Sequence, residues 1–177
     1  PFPGRDGKTI FASGFILRGE MVRYDAPTRD LKPWLGGISA EHLSYSPDGK
    51  SIAYVSYPEG ILWRANRDGT NPIQLTGPPF YPLDPRWSPD GSKILFLSDL
   101  DGTISQSYIV SSQGGTPQPI LPADIEHQNG GANWSPDGQK IIFQVRDDGT
   151  GARLDALANG TDGIGLRTME FRTRRLG

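Results

Sequence analysis

The sequence predicts an all-β protein, a β-propeller of which about four four-stranded blades are visible, as a piece of a larger propeller. Three observations predict it. Ser-Pro-Asp-Gly occurs at Ser46-Pro47-Asp48-Gly49, Ser88-Pro89-Asp90-Gly91 and Ser135-Pro136-Asp137-Gly138. A fainter copy, Gly4-Arg5-Asp6-Gly7, precedes them, so the Asp spacings are 42, 42 and 47 residues. A fixed period of about 40–45 residues suits a four-stranded propeller blade. Second, the 23 Gly and 16 Pro make up about 22% of the 177 residues, roughly twice the usual share. They punctuate short apolar segments, which implies many tight turns. Third, the apolar runs after each turn are short and rich in β-branched and aromatic residues, too short for buried helices.

Each element follows from this frame. An inner strand ends in Leu43-Ser44-Tyr45, Pro85-Arg86-Trp87 and Ala132-Asn133-Trp134, with an aromatic one residue before each Ser-Pro. The tetrapeptide is a hairpin turn. Pro presets φ for the first central position, Asp suits the second, and Gly takes the left-handed position after them. A Gly bulge of this kind matches the twist of the strands it joins. The next strand is Thr9-Ile10-Phe11-Ala12, Ile52-Ala53-Tyr54-Val55, Ile94-Leu95-Phe96-Leu97 or Ile141-Ile142-Phe143. These runs are apolar on both faces, as sheets stacked face to face require. Third strands are Met21-Val22-Arg23-Tyr24, Ile61-Leu62-Trp63-Arg64 and Tyr108-Ile109-Val110. Second turns at Arg67-Asp68-Gly69-Thr70 and Gln113-Gly114-Gly115-Thr116 lead to outer strands Lys32-Pro33-Trp34-Leu35, Ile73-Gln74-Leu75-Thr76 and Pro119-Ile120-Leu121. Pro33 and Pro119 fit an edge, where no amide donor is needed.

The units divide the chain into residues 1–37 (truncated), 38–78, 79–123 and a degenerate 124–167, with a tail at 168–177 read as a solvated or frayed terminus. Within the degenerate unit, Asn159-Gly160-Thr161-Asp162-Gly163 reads as a turn and Ile164-Gly165-Leu166 as a last strand. An open arc of four blades leaves two apolar faces in water. Each large side chain so exposed forgoes about 1.5–3 kcal/mol of burial. Further blades or another chain are therefore expected to close the propeller.

Net charge is −2, which does not point to nucleic acid or an anionic membrane surface. The absence of cysteine excludes disulfides and thiolate metal sites. No stretch approaches the roughly 18 apolar residues of a membrane span. The chain opens Pro1-Phe2-Pro3 without Met and enters its first unit partway, as a fragment or processed piece does, so a missing signal sequence says little about location.

The repeat aromatic-Ser-Pro-Asp-Gly, with Lys8, Lys50, Lys93 or Lys140 shortly after it, then Ile-x-Phe and a strand end such as Leu75-Thr76, resembles the TolB-type β-propeller repeat, a bacterial relative of the WD repeat. The resemblance covers residues 2–145 well and 146–177 poorly. It implies a propeller scaffold that binds protein or ligand through loops, in a periplasmic setting for TolB itself. Similar arrays serve as sensor regions of bacterial transcription regulators and kinases, with a cytoplasmic setting for a soluble regulator, and as the lid domain of prolyl-oligopeptidase-type serine peptidases. The resemblance does not choose among these roles.

Catalytic motifs are absent: there is no Gly-x-Ser-x-Gly elbow, no His-Glu-x-x-His and no P-loop. No catalytic residue, metal or cofactor is expected in this segment. The candidate residues lie instead in the connections entering each inner strand and in the loops between the second and third strands. These emerge at the end of the sheets opposite the Ser-Pro-Asp-Gly turns. They are His42, Tyr57, Glu59, Tyr81, Asp84, Asp99, Asp101 and His127. Aromatics mixed with carboxylates on loops held by a rigid scaffold suit a peptide, a sugar or a basic partner segment. The turn residues Ser46 to Gly49, Ser88 to Gly91 and Ser135 to Gly138 are structural in this reading. Replacing Gly49 or Gly91 with Val is expected to destabilise the fold by more than about 1 kcal/mol, since a β-branched residue resists positive φ. Urea melts of either variant that overlay the parent's would refute the turn assignment.

Overall fold

The computed structural model describes residues 2–3, 5–11, 16–99, 105–120, 128–146 and 168–172, and among them there are strands and turns but no helix. The turns explain the rest. In each tetrapeptide the serine is buried, and its hydroxyl is the hub of the loop. Ser46 Oγ donates to Asp48 Oδ1 at 2.6 Å and accepts the Ser51 N–H at 2.9 Å, while Asp48 Oδ1 also accepts the Lys50 N–H at 3.0 Å. Ser88 donates to Asp90 at 2.6 Å and accepts the Lys93 N–H at 2.9 Å. Ser135 donates to Asp137 and accepts the Lys140 N–H. The glycine that ends each turn has φ of 68°, 71° and 68° at Gly49, Gly91 and Gly138. Its N–H closes the turn on the serine carbonyl at 2.8–2.9 Å. The fainter first copy has no serine, and Asp6 Oδ1 accepts the N–H groups of Lys8 and Thr9 directly.

Among the described residues fifteen strands are built around these turns. β1 (Phe2–Pro3) pairs with β2 (Ile10–Phe11), and β3 (Val22–Asp25) with β4 (Asp30–Pro33). β5 (Ala40–Tyr45), β6 (Ser51–Ser56), β7 (Leu62–Asn66) and β8 (Ile73–Gln74) form a four-stranded antiparallel sheet in sequence order. β9 (Pro82–Trp87), β10 (Lys93–Asp99), β11 (Ser105–Ser111) and β12 (Gln118–Pro119) form a second. β13 (Gln128–Trp134), β14 (Lys140–Arg146) and β15 (Thr168–Arg172) form a three-stranded sheet.

The sheets stack face to face. Along β6 the side chains alternate, and both sets are buried. Ala53 and Val55 join Leu62, Leu75, Ile94, Phe96, Tyr108 and Val110 in a core shared with the β9–β12 sheet. Ile52 and Tyr54 join Ala40 and Ala65, against which Met21, Trp34, Leu35 and Ile38 pack. Full burial of both faces is why these strands carry no polar alternation. Phe80, Phe96 and Tyr108 meet ring to ring, with centroids 5.1–6.1 Å apart.

Two contacts repeat from sheet to sheet. The Trp87 indole N–H donates to the Ser44 carbonyl at 3.3 Å, and the Trp134 indole N–H to the Arg86 carbonyl at 3.1 Å. In both cases the acceptor lies one residue before the aromatic of the preceding unit. The turns also stack: a Cβ on Gly91 would sit 3.8 Å from Pro47, and one on Gly138 would sit 3.3 Å from Pro89.

The structure differs from the sequence reading in three places. The first unit is not one sheet, because β2 and β3 belong to separate two-stranded sheets. Ahead of β3 the Gly19 N–H donates to Ser39 Oγ, beside the start of β5, at 3.0 Å. Gly19 also approaches the Ala40 carbonyl so closely that any Cβ would lie 2.2 Å from its oxygen. β4 ends at Pro33, ahead of the expected Trp34-Leu35, because both of those side chains turn into the core and Leu35 has φ of 53°. Thr168–Arg172, read as tail, pairs antiparallel with β14, with Met169 opposite Phe143 and Phe171 opposite Ile141. This run of Thr, Met and Phe suits a strand better than its neighbouring arginines suggested. The turn and strand expected at 159–166 lie outside the described residues.

The Asp48, Asp90 and Asp137 carboxyls are held below the ordinary value of 3.8, first by the serine hydroxyl and then by the backbone N–H. A carboxyl whose folded pKa is depressed contributes stability that is present above its unfolded pKa and lost as pH falls through the folded value. Urea midpoints are therefore expected to fall between pH 5 and pH 3 (approximate settings either side of the ordinary carboxyl range). The triple variant Asp48→Asn, Asp90→Asn, Asp137→Asn should show a shallower fall over that window. Parallel acid limbs for parent and variant would refute the role of these charges.

Candidate functional site

A second irregularity recurs at the other end of the same sheets. The pairing register of β5 with β6 slips between Glu41 and Leu43, leaving His42 as an extra residue. The β9–β10 register slips in the stretch holding Asp84, and the β13–β14 register slips between Gly130 and Ala132. His42, Asp84 and Gly131 each stand four residues before a turn serine, so the bulge is part of the repeat. A bulge twists the strand and re-aims the side chain it carries.

What fills the bulge is unusual. His42 has φ of 50° and Asp84 has φ of 48°, in the left-handed region where glycine is at no disadvantage. Side chains held there cost on the order of 1–3 kcal/mol each. The two residues meet across adjacent sheets, with His42 Nδ1 3.3 Å from Asp84 Oδ1 and side chains 33% and 54% exposed. A pair this exposed returns at most about 1 kcal/mol. The pair therefore offsets no more than the lower end of that cost. Asp84 suits the Nδ1–H tautomer of the imidazole, which leaves Nε2 as the atom a ligand would meet.

The remaining sequence candidates divide. Tyr57 and Glu59 follow β6, where the Tyr57 N–H donates to the Ser39 carbonyl at 3.1 Å beside the start of β5. Tyr81 comes against this loop: a Cβ on Gly60 would lie 3.5 Å from its ring, and its own N–H donates to Ser98 Oγ at 2.9 Å. Tyr81 is 60% exposed despite its size. Asp99 ends β10, next to Ser98, which pairs with Pro82. His42, Tyr57, Glu59, Tyr81, Asp84 and Asp99 thus share one end of two adjacent sheets, while Asp101 and His127 lie outside the described residues. The sequence reading selected His42 and Asp84 by residue type and missed the bulge that joins them. The available signal was the residue four places before each serine, which reads His, Asp, Gly and so tolerates a left-handed backbone better than a β-branched residue.

The fold superposes on known structures. A protein described as a TolB from Agrobacterium tumefaciens superposes with a TM-score of 0.57 at 28% identity, over 74% of this chain and 47% of its own. TolB from Acinetobacter baumannii superposes with a TM-score of 0.59 at 20% identity, over 88% of this chain and 35% of its own. The fold is a partial β-propeller. Among curated proteins, the uncharacterized peptidase YuxL of Bacillus subtilis (strain 168) is 36% identical over 87 residues. That match covers 44% of this chain and 13% of the peptidase. The chain thus spans a small part of that relative and less than half of either propeller. No family model matches it.

If the bulge residues are kept for something other than the blade, His42→Gly and Asp84→Gly should each leave stability within about 1 kcal/mol of the parent, relief of strain offsetting the lost pair. Chemical denaturation of both variants checks this. A loss above about 2 kcal/mol would mark the pair as a structural element instead.

Proposed function

We propose that this chain is part of a non-catalytic TolB-like propeller that binds a protein or ligand at the end of its blades carrying His42 and Asp84. The observation behind this reading is the strained, exposed pair itself, held at equivalent bulges of adjacent blades. Strained backbone collects at sites where geometry serves binding. Tyr57, Glu59, Tyr81 and Asp99 extend the surface with two aromatics and two carboxylates, and Asp101 and His127 join it by sequence position alone. A periplasmic setting accompanies the reading.

The face of β3–β4 turned away from the β5–β8 sheet supports a further part of the proposal. Val22 pairs with Pro33 and Tyr24 with Leu31, so these four share one face. Val22, Tyr24 and Leu31 are 55%, 58% and 67% exposed. Further blades or another chain would cover it.

A second reading is favoured by one observation, the 36% identity to a protein named as a peptidase. In that reading the segment is the propeller of a larger serine peptidase, screening its substrates.

Two measurements test these readings. In crosslinking capture followed by quantitative mass spectrometry, the variant Tyr57→Ala, Glu59→Ala, Tyr81→Ala should fold like the parent and lose most of the parent's specific partners. Unchanged capture would refute the proposed surface. Treating the full-length protein with a fluorophosphonate probe should give no labelled serine under the first reading, whereas stoichiometric labelling would establish the second in its place.

A further inference from the structure

The turn end of the blades holds an open concavity of about 550 Å³ that the partner-binding reading does not use. Arg23 of β3, Trp34 after β4, Asp48 and Lys50 of the β5–β6 turn, and Arg67 and Asp68 of the β7–β8 turn line it. One oxygen of each carboxylate is already taken. Asp48 Oδ1 accepts the Ser46 hydroxyl and the Lys50 N–H. Asp68 Oδ1 accepts the Thr70 N–H at 3.0 Å and the Thr70 hydroxyl at 2.6 Å. Of the cations, Lys50 acts on the Asp48 charge, and the two guanidiniums enter no ion pair among the described residues. The ion pairs Lys32–Asp30 and His42–Asp84 do not involve Arg23, Lys50 or Arg67. Arg67 rests 6.0 Å from the Tyr45 ring centre, and that ring lies 5.8 Å from the Trp34 ring, so an aromatic wall adjoins the positive groups.

The repeat supplies a lysine after each turn, Lys50, Lys93 and Lys140, but no arginine at the place of Arg67, which Ser112 holds in the next blade. Lys50 stands two residues after Asp48, and the same place holds Ser92 and Gln139 in the next two copies. The Arg67 N–H donates to the Lys50 carbonyl at 2.8 Å, and the matching bond in the next blade joins Ser112 to Ser92 at 2.9 Å. The backbone link thus recurs without either cation.

We infer that this concavity is a binding site for a carboxylate-bearing ligand that also presents an apolar or ring face. Arg23, Lys50 and Arg67 take the anion and Trp34 the apolar part. Guanidinium forks match carboxylates, and an uncommitted fork beside an aromatic wall favours a group that is both charged and flat. The volume lies in the range of about 300–1,000 Å³ usual for small-ligand sites. Two sources supply this chemistry, an acidic side chain of a peptide or a free aromatic acid.

Isothermal titration of the protein separates them. The probes are the capped tripeptide Glu-Phe-Glu, its charge-inverted counterpart Lys-Phe-Lys, and phenylacetate. At least one carboxylate probe should bind, more weakly as NaCl rises from about 20 to about 200 mM. Arg23→Gln with Arg67→Gln should weaken it roughly tenfold or more, a difference of about 1.4 kcal/mol. Lys50→Gln should weaken it by less, and Lys-Phe-Lys should not bind. Both arginines are exposed, so the variants should melt with the parent. Binding of the acidic tripeptide alone identifies a chain segment as ligand, and comparable binding of phenylacetate identifies a free acid. Failure of both carboxylate probes, retention of affinity by the arginine variant, or equal binding of Lys-Phe-Lys would overturn the inference.

Discussion

Each blade depends on a single buried hydroxyl. The turn serine has one proton and gives it to the aspartate two residues on; its oxygen then receives the N–H of the residue five places on. That N–H belongs to the start of the central strand, so one hydroxyl joins the turn to the register of the strand that follows. Were it absent, a buried amide would lack its partner at a cost of about 1–3 kcal/mol. The aspartate is the only charged member and remains at the surface, so it strengthens the bond without itself being desolvated. The first copy has no serine, and there Asp6 takes two backbone N–H groups, of Lys8 and Thr9, where Asp48 takes one.

Register fixed at the turn governs the stacking. Because side chains alternate, a slip of one residue along β6 would exchange Ile52 and Tyr54 for Ala53 and Val55 between its two cores. The two sets differ in volume, so the neighbours could not accommodate the exchange. The tryptophans at positions 87 and 134 make the same alignment between blades. An indole N–H has one proton to place, and at a partly buried position it selects one carbonyl of the previous inner strand. Proline against glycine at the turns repeats the step: Pro89 leaves room beside Gly138 for a hydrogen but not comfortably for a methyl group.

The stacked core was legible because every feature that makes it is local. β6 and β10 fall where short, two-faced apolar runs placed them, extended by a residue or two at either end. What was not legible depends on contacts between distant parts. The first unit divides, and ahead of β3 Gly19 meets Ser39 and Ala40 at the start of β5, a contact no local pattern encodes. Trp34 and Leu35 read as strand by composition, yet the core beside Ile52 and Tyr54 claims both side chains. His42 and Asp84 were chosen as polar loop residues; that they occupy equivalent bulges and touch follows from the stacking of two sheets. The turn end was read as purely structural, and the grouping of Arg23 with Lys50 and Arg67 arises only when β3–β4 packs beside the β5–β8 sheet.

Both sets of functional candidates follow one rule. At the bulge the repeat adds one residue to the inner strand, left-handed at His42 and Asp84, and leaves the side chain open, so His42, Asp84 and Gly131 fill the same place. Two residues after the turn aspartate the recurring bond is the backbone N–H given to that aspartate, and Lys50, Ser92 and Gln139 fill the place. A position whose structural duty is discharged by its main chain can change its side chain without loss to the fold. Glycine would be cheapest at the bulge, and a small polar residue suffices at the turn. Where the bulge carries instead a histidine and an aspartate, the blade does not require them. A scaffold held by serine hydroxyls, indole N–H groups and two-faced strands thereby leaves both ends of its blades free to differ in chemistry while the stack between them stays the same.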